Sequence, residues 1–269
     1  MEAFLDHLRA PAFGPLILYG LVVGISLGLT GGGGSIITVP LLVYLVGLPV
    51  HAAIPTSLVI VGAAALGGYL SRLAIADSRH GLVFGLIGLA GALPGRLAAH
   101  YFSGPVLLMC FSMIMLVASY FMFSPRAYGA RQGSDLHWPS VVAAAIGVGF
   151  LTGFLGVGGG FLIVPCLVLV LGMSMREAIP TSLLVIALNC ASSLVGPALL
   201  GHPERSLGEI DWGVAAFFLV GGLAGSLVGG AVAHRLDQRV LKRLFAVFVF
   251  TVALFILGST TGLIPIRVQ

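Results

Sequence analysis

The sequence predicts an all-α polytopic membrane protein made of two inverted-topology repeats. Of the 269 residues, 58% are hydrophobic and only 8% are charged, whereas about a quarter are charged in soluble domains. A glycine motif occurs twice, as G-L-T-G-G-G-G-S-I-I-T-V-P at 28–40 and as G-F-L-G-V-G-G-G-F-L-I-V-P at 153–165. An A-I-P-T-S-L element follows each copy, at 53–58 and 178–183, so both landmarks recur at an offset of 125 residues. A fixed offset between separated landmarks indicates two copies of one unit.

The two copies divide one transmembrane domain into a first repeat, residues 1–130, and a second repeat, residues 131–269. Each repeat contains five apolar segments. In chain order the ten segments are 16–30, 36–46, 56–75, 82–99, 106–123, 140–155, 161–171, 181–200, 212–233 and 241–258. The segment after each glycine motif has about eleven residues, or about 17 Å of helix, which is too short for a hydrocarbon core of roughly 30 Å. Each is predicted to be a half-helix, either one arm of a re-entrant hairpin or one piece of a broken span.

The fourth segments of the two repeats also match, but at a different offset. L-A-G-A-L-P-G-R-L-A-A-H ends at His100 and L-A-G-S-L-V-G-G-A-V-A-H ends at His234, 134 residues later. Nine additional residues therefore lie in the second copy, and the hydrophilic stretch around 201–211 is the expected place for them.

The arginines and lysines predict the topology. If each repeat crosses the membrane an odd number of times (five crossings, or three and a re-entrant hairpin), the 13 basic residues divide 9 to 4. The larger group is Arg72, Arg79, Arg126, Arg131, Arg176, Arg235, Arg239, Lys242 and Arg243; the smaller is Arg9, Arg96, Arg205 and Arg267. Four crossings per repeat would divide them 7 to 6. Only the odd count satisfies the positive-inside rule, and it inverts the second repeat and leaves both termini outside.

Several classes of function are disfavoured by what the sequence lacks. All nine acidic residues fall at or near loops, whereas cation transporters usually carry carboxylates inside the membrane. There is no Walker A sequence and no paired His/Cys spacing, so neither an ATP-driven protein nor a zinc enzyme is supported. The basic residues are thinly spread, which argues against nucleic-acid binding. The three cysteines lie in apolar segments, so no disulfide framework is expected.

The glycine motifs are the first candidate substrate-binding elements. Non-helical backbone at membrane depth survives where it lines a cavity or is buried by protein, and the N-terminus of the following half-helix suits an anion. Two inverted copies would bring two such N-termini toward the midplane. The alternative is that the glycines only permit close helix packing, which is the preferred reading for Gly221, Gly225 and Gly229. The candidates in the motifs are Gly31, Gly32, Gly33, Gly34, Ser35, Gly156, Gly158, Gly159 and Gly160.

The P-T-S elements supply hydroxyl groups at equivalent positions of the two repeats. Pro55 and Pro180 are expected in the first turn of a helix, where no N–H group is needed. The hydroxyls that follow could cap that turn or bind a ligand, and the two roles are compatible if the turn faces a cavity. These hydroxyl candidates are Thr56, Ser57, Thr181 and Ser182.

Two further polar residues interrupt apolar segments. Asn189 lies two helical turns beyond Thr181, and its amide needs either a partner on another helix or a ligand. Arg96 stands inside the fourth segment, where the second repeat has Gly230. Its guanidinium is expected to snorkel to the interface or to contribute positive potential for an anion.

The paired glycine motifs, each leading to a proline and then to A-I-P-T-S, resemble the sulfite exporter TauE/SafE family within the toluene sulfonate uptake permease group. The resemblance covers nearly the whole chain. It implies transport of small sulfur-containing anions or organic acids, such as sulfite, sulfoacetate or sulfonates, across the bacterial inner membrane. The first motif departs slightly, with Thr30 and Gly32 where the second has Leu155 and Val157.

This reading implies no cofactor and no enzymatic activity. The expected partners are a small anionic substrate and the lipid bilayer, with a coupling proton or ion and a homo-oligomeric state left open. A passive anion channel on the same fold and a membrane-embedded enzyme or insertase are the alternative classes. A coupled carrier builds a concentration gradient, a channel does not, and an enzyme turns substrate over.

The odd-crossing topology can be tested by cysteine labelling on intact cells. In a background without native cysteines, a membrane-impermeant thiol reagent should label a cysteine placed within 201–211 and not one placed within 126–132. The reason is that the two stretches lie on opposite sides of the membrane in this topology. Equal labelling of both stretches would rule it out.

Overall fold

The structure is a computed structural model that describes residues 13–99, 101, 104–123, 138–155, 160–199 and 210–260. Ten helices make up the regular structure of these residues, which confirms the all-α class and matches the ten apolar segments one for one. They are α1 (Phe13–Thr30), α2 (Gly33–Tyr44), α3 (Val50–Leu70), α4 (Ser78–Ala99), α5 (Gly104–Phe123), α6 (Trp138–Leu155), α7 (Gly160–Leu169), α8 (Met175–Leu199), α9 (Trp212–Arg235) and α10 (Gln238–Thr260).

Four helices are long and apolar enough to cross a membrane, by length and composition. These spans are Ala52–Leu70, Met175–Val195, Trp212–Arg235 and Gln238–Gly258. Large apolar side chains on them face outward, as Val220 does with 59% of its surface exposed. Exposed apolar surface of this extent fits a lipid environment.

The two short helices after the glycine motifs are confirmed as short and end in the same way. α2 has 12 residues and α7 has 10. Each is followed by a glycine in the left-handed region, Gly47 at φ 81° and Gly172 at φ 69°, a conformation that a side chain would strain. The N–H of Leu48 donates to the carbonyl of Leu42 at 3.0 Å, and the equivalent N–H of Met173 donates to Leu167 at 3.1 Å. The two copies therefore share one local fold here, as the offset of 125 residues predicts.

The helices that carry the P-T-S elements begin earlier than the sequence suggested. α3 begins at Val50 and α8 at Met175, so Pro55 and Pro180 lie beyond the first turn, and the expectation that they occupy it was wrong. In α8 the reason is a capping box, in which Ser174 and Glu177 each bind the other's backbone N–H. This cap starts the helix before the proline is reached.

Helices of the two repeats pack against each other more than within one repeat. α1 of the first repeat packs on α9 of the second, and α4 packs on α6. At the centre α3 packs on α8, and α5 packs on α10. Ile60, Ala64 and Ile186 are fully buried in this central layer. Each pair joins one repeat to the other, so the core is shared.

Glycines bring α1 and α9 into backbone contact. A Cβ added at Gly24 would overlap the carbonyl oxygen of Gly222, and one at Gly225 would overlap that of Leu21. The same holds for Gly221 and Gly229 against α1, which confirms the packing role predicted for Gly221, Gly225 and Gly229. We call this contact the glycine seam. An equivalent contact joins α4 to α6, where a Cβ at Gly91 would overlap the carbonyl oxygen of Ile146.

An alanine in the glycine seam should destabilise the protein. Gly24→Ala places a methyl group on backbone of α9 that cannot move aside, and overpacking of this kind costs about 1–3 kcal/mol. Thermal unfolding of the purified protein in detergent measures the change. Gly147→Ala is the matched control, because a Cβ at Gly147 in α6 meets nothing within 4 Å. If both variants unfold at the wild-type temperature, the seam does not limit stability.

Candidate functional site

The N-termini of the two short helices meet inside the protein. A Cβ at Gly160, the first residue of α7, would lie 3.1 Å from the hydroxyl oxygen of Ser35 in the first turn of α2. Ser35 and Gly160 are equivalent positions, 125 residues apart. The partial positive charges of two helix N-termini are thereby brought close together. This is the convergence that the sequence analysis expected of the two glycine motifs.

The first glycine motif is buried and only partly satisfied by hydrogen bonds. Gly31 has φ 71°, and its carbonyl accepts a hydrogen bond of 2.7 Å from the hydroxyl of Ser182. The N–H of Gly33 donates to Thr30 Oγ1 at 2.9 Å, and the Ser35 hydroxyl donates to the carbonyl of Gly32 at 2.8 Å. Within the described part of the chain, the N–H groups of Gly34 and Ser35 have no hydrogen-bond partner. They are donors that a bound group could use.

Close packing also explains why these positions lack side chains. A Cβ at Gly33 would lie 2.5 Å from Phe248 Cε1, and one at Gly34 would lie 2.6 Å from the carbonyl oxygen of Val23. Close packing is therefore a sufficient reason for glycine at Gly33 and Gly34. Substrate contact through their N–H groups stays a prediction. Gly156, Gly158 and Gly159 of the second motif lie outside the described residues.

The serines of the P-T-S elements donate hydrogen bonds to backbone carbonyls. Ser57 and Ser182 each donate to the carbonyl three residues earlier, Ile54 and Ile179, at 2.7 Å. Ser182 also reaches Gly31, which links the second P-T-S element to the first glycine motif. The equivalent contact of Ser57 would fall on Gly156, outside the described residues.

The threonines of the P-T-S elements bind the other repeat. Thr56 Oγ1 accepts a hydrogen bond of 3.1 Å from the N–H of Asp211, and Thr181 Oγ1 accepts one of 3.0 Å from the N–H of Asp77. We call this pair of bonds the reciprocal latch. Neither threonine caps its own helix, so the simple capping role proposed for them was wrong. Their hydroxyl oxygens instead accept hydrogen bonds from the residues that precede α9 and α4 in the other repeat.

The aspartates of the reciprocal latch were missed by sequence reasoning. Asp211 Oδ1 accepts from the N–H of Val214 at 3.0 Å, and Asp77 Oδ1 accepts from that of His80 at 3.1 Å. Each is an N-cap that starts a helix. The signal was present, because Asp77 and Asp211 stand 134 residues apart, the same offset as His100 and His234.

Among the described residues, no contact joins the last two candidates, Asn189 and Arg96, to the glycine motifs. Asn189 is half-buried in α8, and its amide has no hydrogen-bond partner among the described residues. Arg96 lies in α4, and its side chain lies outside the described part of the structure. The roles considered for both remain predictions.

Buried polar groups indicate the charge of a ligand that could bind here. In the described residues the buried polar or charged side chains are ten hydroxyls and one lysine, Lys242. No carboxylate is among them, and the same residues contain no group of three His, Cys, Asp or Glu side chains that could hold a metal ion. Buried hydroxyls and backbone N–H groups, as found in the first glycine motif, suit an anion and offer a cation no counter-charge.

Known proteins resemble this chain over nearly its full length. A family model described as "Sulfite exporter TauE/SafE" matches residues 16–256. A protein of Xylella fastidiosa (strain Temecula1), named "Probable membrane transporter protein", is 34% identical over 253 residues, covering 88% of this chain and 92% of that protein. The Bacillus subtilis protein named "Probable membrane transporter protein YdhB" is 27% identical over 237 residues, covering 84% and 93%. No solved structure matches the chain.

Removal of a latch hydroxyl should lower stability. Thr181→Val leaves the N–H of Asp77 without its acceptor, which costs about 1 kcal/mol or more. Thr56→Val should act alike through Asp211. Thr251→Val is the control, since that exposed threonine bonds only within its own helix, and its change should stay within about 0.5 kcal/mol. Unfolding temperatures of the three variants test this, and latch variants no less stable than the control would refute it.

Proposed function

The chain belongs to the sulfite exporter TauE/SafE family of membrane transporters, and on that premise we propose that it carries small sulfur-containing anions across the bacterial inner membrane. Sulfite, sulfoacetate and other organosulfonates are the proposed substrates. The observation that carries the proposal is the convergence of the α2 and α7 N-termini at Ser35 and Gly160. Backbone donors at a helix N-terminus favour an anion without requiring a charged side chain.

The proposed substrate site consists of the donors that the fold leaves available. The N–H groups of Gly34 and Ser35, buried at the beginning of α2, would bind the oxygens of the anion. The Ser35 hydroxyl, which faces Gly160, would add a donor by turning from the carbonyl of Gly32. At the offset of 125 residues, Gly159 and Gly160 would supply the matching N–H groups of the second repeat. Because Thr56 and Thr181 are engaged in the reciprocal latch, they would position this site rather than touch the substrate.

The inverted-repeat topology, with both termini periplasmic, is part of the proposal. Reciprocal contacts between equivalent positions are what a two-fold relation produces, and the latch and the Ser35–Gly160 contact are of this kind. Arg72 and Arg176 line one cavity. An odd number of crossings per repeat assigns these two arginines to the same side, whereas four crossings would assign them to opposite sides.

Flux measurements distinguish this proposal from its alternatives. Purified protein in liposomes should take up labelled sulfite by counterflow, with competition from sulfoacetate and none from potassium or rubidium. Saturable counterflow identifies a carrier, whereas equilibration without counterflow would identify a passive channel. Competition by carboxylates alone would shift the substrate to another small organic acid. Absence of any anion flux would overturn the proposal.

The site within this function is tested by Ser35→Ala. We expect the KM for sulfite to rise about tenfold or more, because a hydrogen bond to a charged group contributes about 1.5–3 kcal/mol. Ser112→Ala is the matched control: Ser112 is equally buried, and its hydroxyl donates only within α5. An unchanged KM in folded Ser35→Ala protein would remove Ser35 from the site.

A further inference from the structure

A second set of polar groups lies where α3 ends, beside Gly28 at the beginning of the first glycine motif. A small cavity there is bounded by the end of α3, the beginning of α8 and the junction of α9 with α10. The space in it that a water-sized group can occupy is about 20 Å³, which is room for one such group. Arg72, Arg176 and His234 line it, and the last two are exposed.

Arg72 is held in a fixed position by backbone carbonyls. Its Nε donates to the carbonyl of Gly68 at 3.0 Å, and its Nη1 donates to that of Gly28 at 3.1 Å. These carbonyls belong to the last turns of α3 and α1, where a cation is favoured. Gly230 gives the guanidinium its space, since a Cβ there would lie 2.6 Å from Arg72 Cζ. Burial lowers the pKa of Arg72 to about 10, so the group is still a cation at neutral pH.

Two buried donors in this region have no acceptor. Arg72 Nη2 and Ser226 Oγ are both buried without a hydrogen-bond partner among the described residues, and Ser226 is fully buried. Both face Gly68: a Cβ there would lie 3.1 Å from Arg72 Nη2 and would overlap Ser226 Oγ. No carboxylate in the described part of the chain forms an ion pair with Arg72. Buried unpaired donors are costly, and a charged one most of all, unless a bound group completes them.

We propose that Arg72, together with Ser226 beside Gly68 and with Arg176 and His234 in the cavity, forms an anion site at this end of the glycine seam. The site takes one oxygen of an oxyanion in the small cavity, with the rest of the anion toward the exposed Arg176 and His234. The oxyanion is either a soluble sulfite- or sulfate-class anion or the phosphate of an anionic lipid. The Nη2 edge of a positioned guanidinium offers two N–H donors in the geometry that such oxygens prefer. Arg176 is also held, because its guanidinium donates to the carbonyl of Leu236 at 3.3 Å.

This site is distinct from the proposed substrate site at Ser35 and Gly160. It lies on the side where the 9-to-4 division places most basic residues, so it would concentrate anions on that side. The arrangement has no counterpart at equivalent positions of the other repeat, where Pro197 stands 125 residues after Arg72 and Arg96 stands 134 residues before Gly230. The site therefore makes the two ends of the molecule unequal.

Anion binding to the purified protein tests the proposal. Full-length protein in phosphatidylcholine nanodiscs is titrated with sulfite and with sulfate, with chloride for comparison, and the same protein is examined in nanodiscs that contain phosphatidylglycerol. The variants are Arg72→Gln, Arg72→Lys and Ser226→Ala. Arg79→Gln is the matched control, because Arg79 is exposed in the first turn of α4 and lines no part of the cavity.

We expect Arg72→Gln to weaken oxyanion binding about tenfold or more, Arg72→Lys to recover it in part, and Ser226→Ala to weaken it about threefold. Arg79→Gln should stay within about twofold of wild type. If only phosphatidylglycerol raises the unfolding temperature, and the variants abolish that rise, the bound group is a lipid phosphate. If neither soluble oxyanion nor anionic lipid binds in a way that depends on Arg72 and Ser226, the proposal is overturned.

Ser226→Ala keeps the test decisive if Arg72→Gln does not fold. If the Ser226 hydroxyl binds no ligand, its removal should stabilise the protein and leave oxyanion binding unchanged. That result would overturn the proposal. The outcome is also separable from that of the substrate site. Loss of transport in Ser35→Ala with normal binding in Arg72 and Ser226 variants would leave the proposed function standing without this second site.

Discussion

The rest of the structure depends on the backbone contact between α1 and α9. Apolar helices gain little from hydrophobic burial when their surroundings are as apolar as they are, so close approach has to hold them together. Glycines on both helices permit that approach, and Gly91 and Gly149 do the same between α4 and α6. Both contacts join one repeat to the other. The two halves of the chain are consequently interleaved, and α3 with α8 and α5 with α10 also pack across the repeats.

The interleaving decides which polar groups remain available to a ligand. The threonine hydroxyls of the P-T-S elements are taken up by the beginnings of α4 and α9 in the opposite repeat. The serine hydroxyls bind carbonyls of their own helices, and that of Ser182 also orders the turn at Gly31. What remains at the meeting of α2 and α7 is mainly backbone N–H groups, which favour negative charge and are indifferent to its detailed shape.

The two copies share a backbone plan and differ in side chains. The turns at Gly47 and Gly172 have matching hydrogen bonds. Thr30, whose hydroxyl oxygen accepts the N–H of Gly33 at the start of α2, nevertheless corresponds to Leu155 in the second copy. Gly230, which admits the Arg72 guanidinium, corresponds to Arg96 in the first. An exactly repeated sequence would make both faces of the molecule alike. These substitutions give the two copies different donors and a different charge at equivalent positions.

The sequence by itself determined the all-α membrane class, the ten helices and the duplication. The lengths of the apolar segments, the glycine runs and the fixed offset between the motifs can all be read along the chain without knowing which helices pack together. It also identified Gly221, Gly225 and Gly229 as packing residues. It placed Pro55 and Pro180 too early in their helices, since the cap that starts α8 lies in Ser174 and Glu177. Only the tertiary structure decided that Thr56 and Thr181 bind the opposite repeat and that Arg72 lies against Gly230. Those partners are more than a hundred residues apart, and no pattern within one segment specifies which distant helix fills the space beside it.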